Sequence, residues 1–276
     1  MPEQFIHLRL HTEYSIVDGL VRIDELVKKT AAMAMPAVAL TDHSNLFGLI
    51  KFYTAAMRSG IKPICGCDVL VENEENPQRP CPLVLLVRNK EGYRNLTELI
   101  SRAYTEKSTS SLLTVRREWV AQHSEGLIAL SAGRDGEIGR HLLEDGEDKA
   151  AAALAQWMGW FPGNFYMELH RCGREGEERY IDAAVTLASK MGCPVVATND
   201  VRFIDREDFE AHEARVCINE RRTLDDPRRS HNYTEQQYLR SAAEMEELFS
   251  DLPEAIANTR AIAMCCNLDL ELGKPY

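Results

Sequence analysis

Phe5-Ile6-His7-Leu8-Arg9-Leu10-His11 alternates polar and apolar side chains and runs into Ser15-Ile16-Val17-Asp18-Gly19. A period of two is the signature of a strand whose faces meet different surroundings. His7, Arg9 and His11 are predicted on one face, and Ile6, Leu8 and Leu10 on the other. A strand with its polar face toward a barrel mouth and its apolar face under helices has this pattern. Later apolar runs also end in polar residues: Thr41-Asp42-His43-Ser44, Gly66-Cys67-Asp68 and Thr198-Asn199-Asp200-Val201-Arg202. Imidazoles and carboxylates at successive strand ends are how a centre of several metal ions is assembled. Here cations sit among them.

Seven strand-like runs can be counted outward from that first one, at 5–11, 37–42, 62–71, 83–87, 126–131, 165–169 and 194–198. Helical patterns with apolar residues three and four apart lie between them, at 22–34, 45–59, 92–104, 149–160 and 175–191. Asn45 is placed to cap the second helix, and Gly60 and Gly192 to stop helices. Strands interleaved with helices predict parallel pairing. No Gly-x-Gly-x-x-Gly or Walker-type loop follows any strand, which argues against a nucleotide-binding open sheet. A barrel of seven or eight strands is predicted, with function at the C-terminal strand ends. Helices are predicted at 205–219, 235–249 and 253–266, around a charged loop at 221–229. The expected division is a barrel over 1–204 and a helical extension over 205–276. The final Leu272-Gly273-Lys274-Pro275-Tyr276 reads as a lead into further chain.

A net charge of −11 opposes strong direct binding of nucleic acid, whose affinity comes from neutralising phosphates. Arg221, Arg222, Arg228 and Arg229 form a local basic stretch, read here as a solvated loop. No apolar run reaches the length of a membrane span, and the N-terminus has no signal-peptide pattern. The eight cysteines show no C-x-x-C spacing, so a zinc ribbon is not indicated, and a reducing, cytoplasmic setting is expected. Cys193 and Cys217 lie in apolar stretches and read as small core residues. Trp119, Trp157 and Trp160 read as packing on helix faces. His123, His141, His212 and His231 read as surface or capping residues, and His7 as a structural hydrogen-bonding residue.

His11, Asp18, Asp42, His43, Asp68 and Asp200 carry the candidate chemistry. Each alone is an ordinary turn or cap residue, but several such strand ends together point to one shared site. His7-Leu8-x-x-His11-x-x-x-Ser15-x-x-Asp18-Gly19, Thr41-Asp42-His43-x-Asn45-x-x-Gly48 and Ile61-Lys62-Pro63-Ile64-x-Gly66 resemble the PHP (polymerase and histidinol phosphatase) domain. Within that family they are most similar to the N-terminal domain of bacterial DNA polymerase III alpha subunits. Asn89-x-x-Gly92-Tyr93-x-Asn95-Leu96, Ala197-Thr198-Asn199-Asp200-Val201 and Asn232-Tyr233 extend the resemblance over essentially the whole chain.

The resemblance implies a distorted seven-stranded β/α (TIM-like) barrel with a C-terminal helical extension. It also implies a metal-ligand set and shows where this chain departs from it. Arg9 stands where the family has the first histidine of His-x-His, and His11 keeps the second. Asp18 and His43 match ligands, and Asp68 replaces a glutamate. Pro82, Gly133 and Cys172 fall at histidine or cysteine positions. Asp200 is kept, while Arg202 replaces the histidine two residues later. A guanidinium offers no lone pair, and at about 5 Å it would repel a divalent ion by roughly 6–7 kcal/mol at an effective dielectric near 20. Arg9 and Arg202 are instead expected to pair with Asp42, Asp68 or Asp200.

The implied metal set is therefore vestigial: His11, Asp18, His43, Asp68 and Asp200, holding at most one weakly bound divalent ion (Zn, Mn or Mg), with none required. The expected function is a structural and docking domain in DNA replication. Its partners would be the remaining domains of the polymerase alpha subunit and the proofreading exonuclease subunit. The parent protein would be a DNA-directed DNA polymerase, whose catalytic carboxylates lie outside this chain. The rival expectation is a residual metal-dependent phosphoesterase or pyrophosphatase. Asp42, His43 and Asp200 would then be catalytic, and Arg9 and Arg202 would bind phosphate.

Overall fold

The computed structural model describes residues 5–73, 76–106, 112–229 and 231–273; Lys274, Pro275 and Tyr276 of the expected lead-out lie outside these. In chain order the elements are α1 (Ile23–Ala32), β1 (Ala37–Leu40), α2 (Leu49–Arg58), β2 (Lys62–Val71), β3 (Cys81–Val87), α3 (Lys90–Thr105), α4 (Arg117–Gln122) and β4 (Leu127–Leu130). After these come α5 (Glu137–Arg140), which runs into a π-helical turn over His141–Asp145, then α6 (Glu147–Trp160), β5 (Phe165–His170), α7 (Glu177–Met191) and β6 (Val195–Thr198). The last three helices are α8 (Phe209–Glu220), α9 (Ala242–Leu248) and α10 (Pro253–Cys265). No helix among the described residues is long and apolar enough to cross a membrane.

The strands form one curled six-stranded sheet in the order β1-β2-β3-β4-β5-β6. Pairing is parallel between β1 and β2 and from β4 through β6, but β3 runs antiparallel to both neighbours. This corrects the expectation of parallel pairing throughout. The cause lies between Val71 and Cys81, which no helix separates among the described residues. A parallel return needs a crossover of a dozen or more residues, and a shorter link must turn back.

The seventh expected strand, 5–11, is extended chain rather than a strand. It bridges the open side of the sheet: His7 and Leu10 carbonyls accept from Ala39 and Thr41 N–H of β1 and its continuation, and His11 N–H donates to Val201 O beyond β6. Two features break its ladder. Leu10 N–H goes to the Thr41 hydroxyl instead of a carbonyl. The alternation also slips at Leu8–Arg9, because Ile6 and Leu8 pack with the concave face of the sheet while Leu10 packs with β1 and α1 on the convex face. His7 and Arg9 thus point to different places: His7 Nε2 meets Arg240 O at 2.8 Å, and Arg9 enters the carboxylate cluster.

Helix boundaries differ where local polar bonds win. Asn45 does not cap α2; its side chain holds the preceding turn through Tyr14 O, His43 O and Phe47 N–H, so the helix begins at Leu49. The expected 235–249 helix shortens to α9, capped by a reciprocal Ser241–Glu244 box. Of the residues before it, Glu235 and Gln236 form a turn and Tyr238 bridges Phe203. α4 and α5 lay outside the predicted helices.

The concave face has two halves. One is apolar: Ile6, Leu8, Ala39, Ile64, Leu86 and Leu130 pack against Ile262, Ala263 and Cys266 at the end of α10. α10 is fixed there by Thr259, whose hydroxyl accepts Ile6 N–H at 3.1 Å, and by Asn258, which donates to Val195 O at 2.8 Å. The other half, toward the C-terminal ends of the parallel strands, is charged. Larger apolar clusters fill the convex side under the helices, including Cys193, Trp119 and Trp157. All eight cysteines are free.

Candidate functional site

The extended segment 5–11 with the loop after it, β2, β5 and the segment after β6 bring Arg9, His11, Asp18, Asp68, Glu168, Asp200 and Arg202 into one cluster. Asp18, the most exposed of them, keeps only 7% of its surface. Arg9 sits at the centre. Its Nε lies 3.0 Å from Asp68 Oδ2 and 3.1 Å from Asp200 Oδ1, Nη2 reaches Asp68 at 2.5 Å, and Nη1 faces Glu168 Oε2 at 3.5 Å. Arg202 Nη2 pairs with Asp200 Oδ1 at 2.7 Å, and its Nε lies 3.4 Å from Asp18 Oδ2. His11 bridges two carboxylates, with Nδ1 at 2.8 Å from Asp18 and Nε2 at 3.2 Å from Asp68.

Local structure aims these groups. Gly19 follows Asp18 where a Cβ would stand 1.9 Å from Thr12 O, so the turn admits no side chain there. Asp200 has φ +48, a left-handed conformation that costs an L-residue energy and is held only by firm surroundings. Those surroundings include Gln237, whose amide donates to Asp200 Oδ2 at 2.8 Å.

Electrostatics follow from this packing. Burial alone would raise the carboxyl pKa values, but the guanidinium charges outweigh it. Asp68 is held low by Arg9 and His11, Asp200 by Arg202 and Arg9, and Asp18 by Arg202 and His11. Glu168 is also lowered, against burial, by Arg9 and His170. For His11, burial and the Arg202 charge oppose protonation, yet Asp18 and Asp68 prevail and raise its pKa above the ordinary value. His43 moves the other way, because burial dominates. Four carboxylates thus face two guanidiniums and a histidine biased toward its cationic form.

Asp42 does not join the cluster, nor does it pair with either arginine. Its carboxylate accepts Thr12 N–H at 2.6 Å and the Thr12 hydroxyl at 2.9 and 2.8 Å, and burial raises its pKa. It anchors the loop between His11 and Asp18. The His43 ring lies 6.3 Å from that of His11. Among the other positions, Pro82 is in β3, and the buried Cys172 thiol lies 3.4 Å from Asn199 O. Gly133 has φ +61, and a Cβ there would come within 2.7 Å of His170 Nδ1.

Several members escaped the sequence reading. Glu168 and His170 come from β5; the Glu168 carboxylate is met by His170 at 3.0 Å and the Thr198 hydroxyl at 2.5 Å. A glutamate inside an apolar strand run was the available signal. Tyr233 and Gln237 reach Asp18 and Asp200 from a segment distant in sequence. His212 is a correction: it is fully buried rather than superficial, with Nε2 at 3.0 Å from Asp18 O. The basic stretch is largely neutralised, with Arg222 and Arg228 on Asp226 and Arg229 on Glu213.

The residues present do not fit a centre of several ions. Both His11 nitrogens and both oxygens of Asp18 and Asp200 already hold hydrogen bonds or ion pairs. Of Asp68, Oδ1 has no hydrogen-bond partner among the described residues. With His43 it offers two donors, and Glu168 Oε2, also without a hydrogen-bond partner among the described residues, is held by Arg9 at 3.5 Å, whereas a metal site takes three or more protein ligands. Among the described residues no group of three His, Cys, Asp or Glu side chains is arranged to hold a metal. Arg9 and Arg202 are likewise buried and ion-paired, although Arg202 Nη1 has no hydrogen-bond partner among the described residues.

Residues 7–172 match the PHP domain. Over its whole length the chain is similar to DNA polymerase III subunit alpha of Pseudomonas fluorescens, at 56% identity over 277 residues. It is 49% identical over 273 residues, 99% of this chain, to the same subunit of Escherichia coli K12. Each alignment covers 24% of the relative, so the chain spans about a quarter of the length of the curated relatives it matches. A solved amidohydrolase from Chromobacterium violaceum is similar at a TM-score of 0.49 and 15% identity, over 76% of this chain and 96% of that one. A likeness of that degree bears on neither ligands nor chemistry.

Proposed function

The chain belongs to the PHP domain family, and from that premise we propose that it is the N-terminal domain of a DNA polymerase III alpha subunit, acting in DNA replication as a scaffold. The likeness along its entire length to that subunit supports the placement. The scaffold role rests on a single observation, the ion-paired cluster in which Arg9 and Arg202 occupy the carboxylates that a metal would need. Buried charges so arranged hold strand ends together but offer no activated water and no open coordination position.

On this reading 1–204 is a distorted seven-stave barrel in which 5–11 is the seventh stave. Residues 205–276 are an extension that leads toward the polymerase domains and supplies α10 as a plug. No metal is required, and one divalent ion at most would be held weakly. The partners are the other domains of the subunit and the proofreading exonuclease subunit, in the cytoplasm.

The test uses the full-length subunit. Co-elution with the exonuclease subunit, lost when 1–276 is deleted, is expected, together with no hydrolysis of phosphate esters or pyrophosphate in Zn²⁺, Mn²⁺ or Mg²⁺. Metal-dependent turnover abolished by Asp200→Asn would overturn the scaffold reading in favour of a phosphoesterase.

A further inference from the structure

Arg171, Arg174, Arg179 and Arg240 line one open groove of about 540 Å³, together with Glu177 and Glu178. It adjoins the buried cluster without being part of it: Arg174 Nη2 lies 3.4 Å from His170 Nδ1. Both carboxylates are already engaged. Glu178 pairs with Arg171 at 3.0 Å, and Arg171 also reaches Asp251 at 2.6 Å. Glu177 lies 3.4 Å from Arg174, which pairs with Asp135 at 2.7 Å.

Two guanidiniums remain. Arg179 is exposed and has no ion pair among the described residues. Arg240 retains 9% of its surface and also has no carboxylate partner among the described residues. Its guanidinium instead meets Gln236 through the side-chain amide oxygen and, at 3.4 Å, the backbone carbonyl, and lies 4.9 Å from the Tyr238 ring. Glu244, whose carboxyl feels the Arg240 charge, is taken up by Tyr238 and Ser241. An arginine this buried is ordinarily matched by an anion. The fifteen-residue α7 starts on the same groove after Gly176, with no side chain capping its N-terminus. Its dipole adds to the attraction for an anion.

We propose that this groove binds a phosphate group, as inorganic phosphate or as the phosphate of a small monoester, on Arg179, Arg240 and the α7 N-terminus. Guanidinium forks match the oxygens of a tetrahedral oxyanion. A nucleic-acid strand is disfavoured because no aromatic side chain lines the groove to stack a base, and the chain carries −11. The inference does not depend on the polymerase reading, since it concerns only this groove.

Titrating full-length protein with inorganic phosphate and with glycerol phosphate, followed by calorimetry, tests it. Saturable binding of either is expected, and the tighter of the two identifies the source. Arg179→Ala and Arg240→Gln should each weaken it at least about fivefold, as the loss of a charge-assisted hydrogen bond does, while Arg94→Ala on the exposed side of α3 changes nothing. Because Arg179 is exposed, its removal leaves the fold intact and keeps the test decisive. Absence of saturation overturns the proposal. So do undiminished affinity in Arg179→Ala, and stronger competition for the groove by a single-stranded oligonucleotide than by either phosphate.

Discussion

The two halves of the concave face solve the same problem, joining strand ends across a curved sheet, with opposite chemistry. At one end Ile262 and Ala263 of α10, with Cys266 just after it, close an apolar layer. At the other, Arg9 and Arg202 tie together carboxylates that would otherwise repel. The apolar half depends on shape and area, is indifferent to pH, and degrades gradually as methylenes are lost. The charged half depends on matching, so the loss of one partner leaves buried charge uncompensated.

Substitution separates them. Arg9→Met, which keeps volume but removes the central cation, should cost about 3–5 kcal/mol in urea unfolding at pH 7. The deficit should shrink below pH 4, where Asp68, Glu168 and Asp200 can take up protons. Ile262→Ala at the opposite end should cost about 3 kcal/mol and should change little between pH 4 and 8. An equal pH response in both variants would erase this distinction between the two halves.

The pH profile of the unchanged protein sharpens it further. Burial lowers both His7 and His212 to about 4. Each is depressed below its unfolded value, so its contribution is present above about pH 6.5 and is lost as pH falls toward 4. The slope is at most about 1.4 kcal/mol per pH unit for each. Low-lying Asp18, Asp68 and Asp200 extend the loss below pH 4. His11 has the opposite sign: its raised pKa adds stability below about pH 6.5 that disappears as pH rises through the folded value. Equilibrium unfolding across pH 4–8, with His212→Gln flattening the acid limb, checks this. The smallest effect belongs to the plug: Thr259→Val removes the acceptor for Ile6 N–H and should cost about 1 kcal/mol, measured by thermal or urea unfolding.

Much of the fold was legible because strand and helix periods differ and the turn residues fall between them. Lys62–Val71, for example, carries the same bounds in sequence and structure. The inversion of β3 was missed because strand count alone carries no direction; the short link from Val71 to Cys81 held that information. The slip at Leu8–Arg9 was hidden by an alternation that looks regular in letters. Only tertiary packing shows Leu8 and Leu10 on opposite faces.

At the site, His11, Asp18, Asp68, Asp200 and both arginines were visible as strand-end residues, and the structure brings them together. Asp42 was drawn away by Thr12, a competition between a nearby backbone donor and a distant cation that spacing cannot reveal. Gln237 and Tyr233 come from residues with no chemical signature of their own, and His212 was hidden by its helical context.

The most direct measurement is the metal content of the full-length protein, grown with Zn²⁺ and Mn²⁺ and analysed by elemental analysis after dialysis. If Arg9 and Arg202 satisfy the strand-end carboxylates, bound metal is substoichiometric and unchanged by Asp200→Asn. Two or more ions per chain, lost in that variant, would contradict the account.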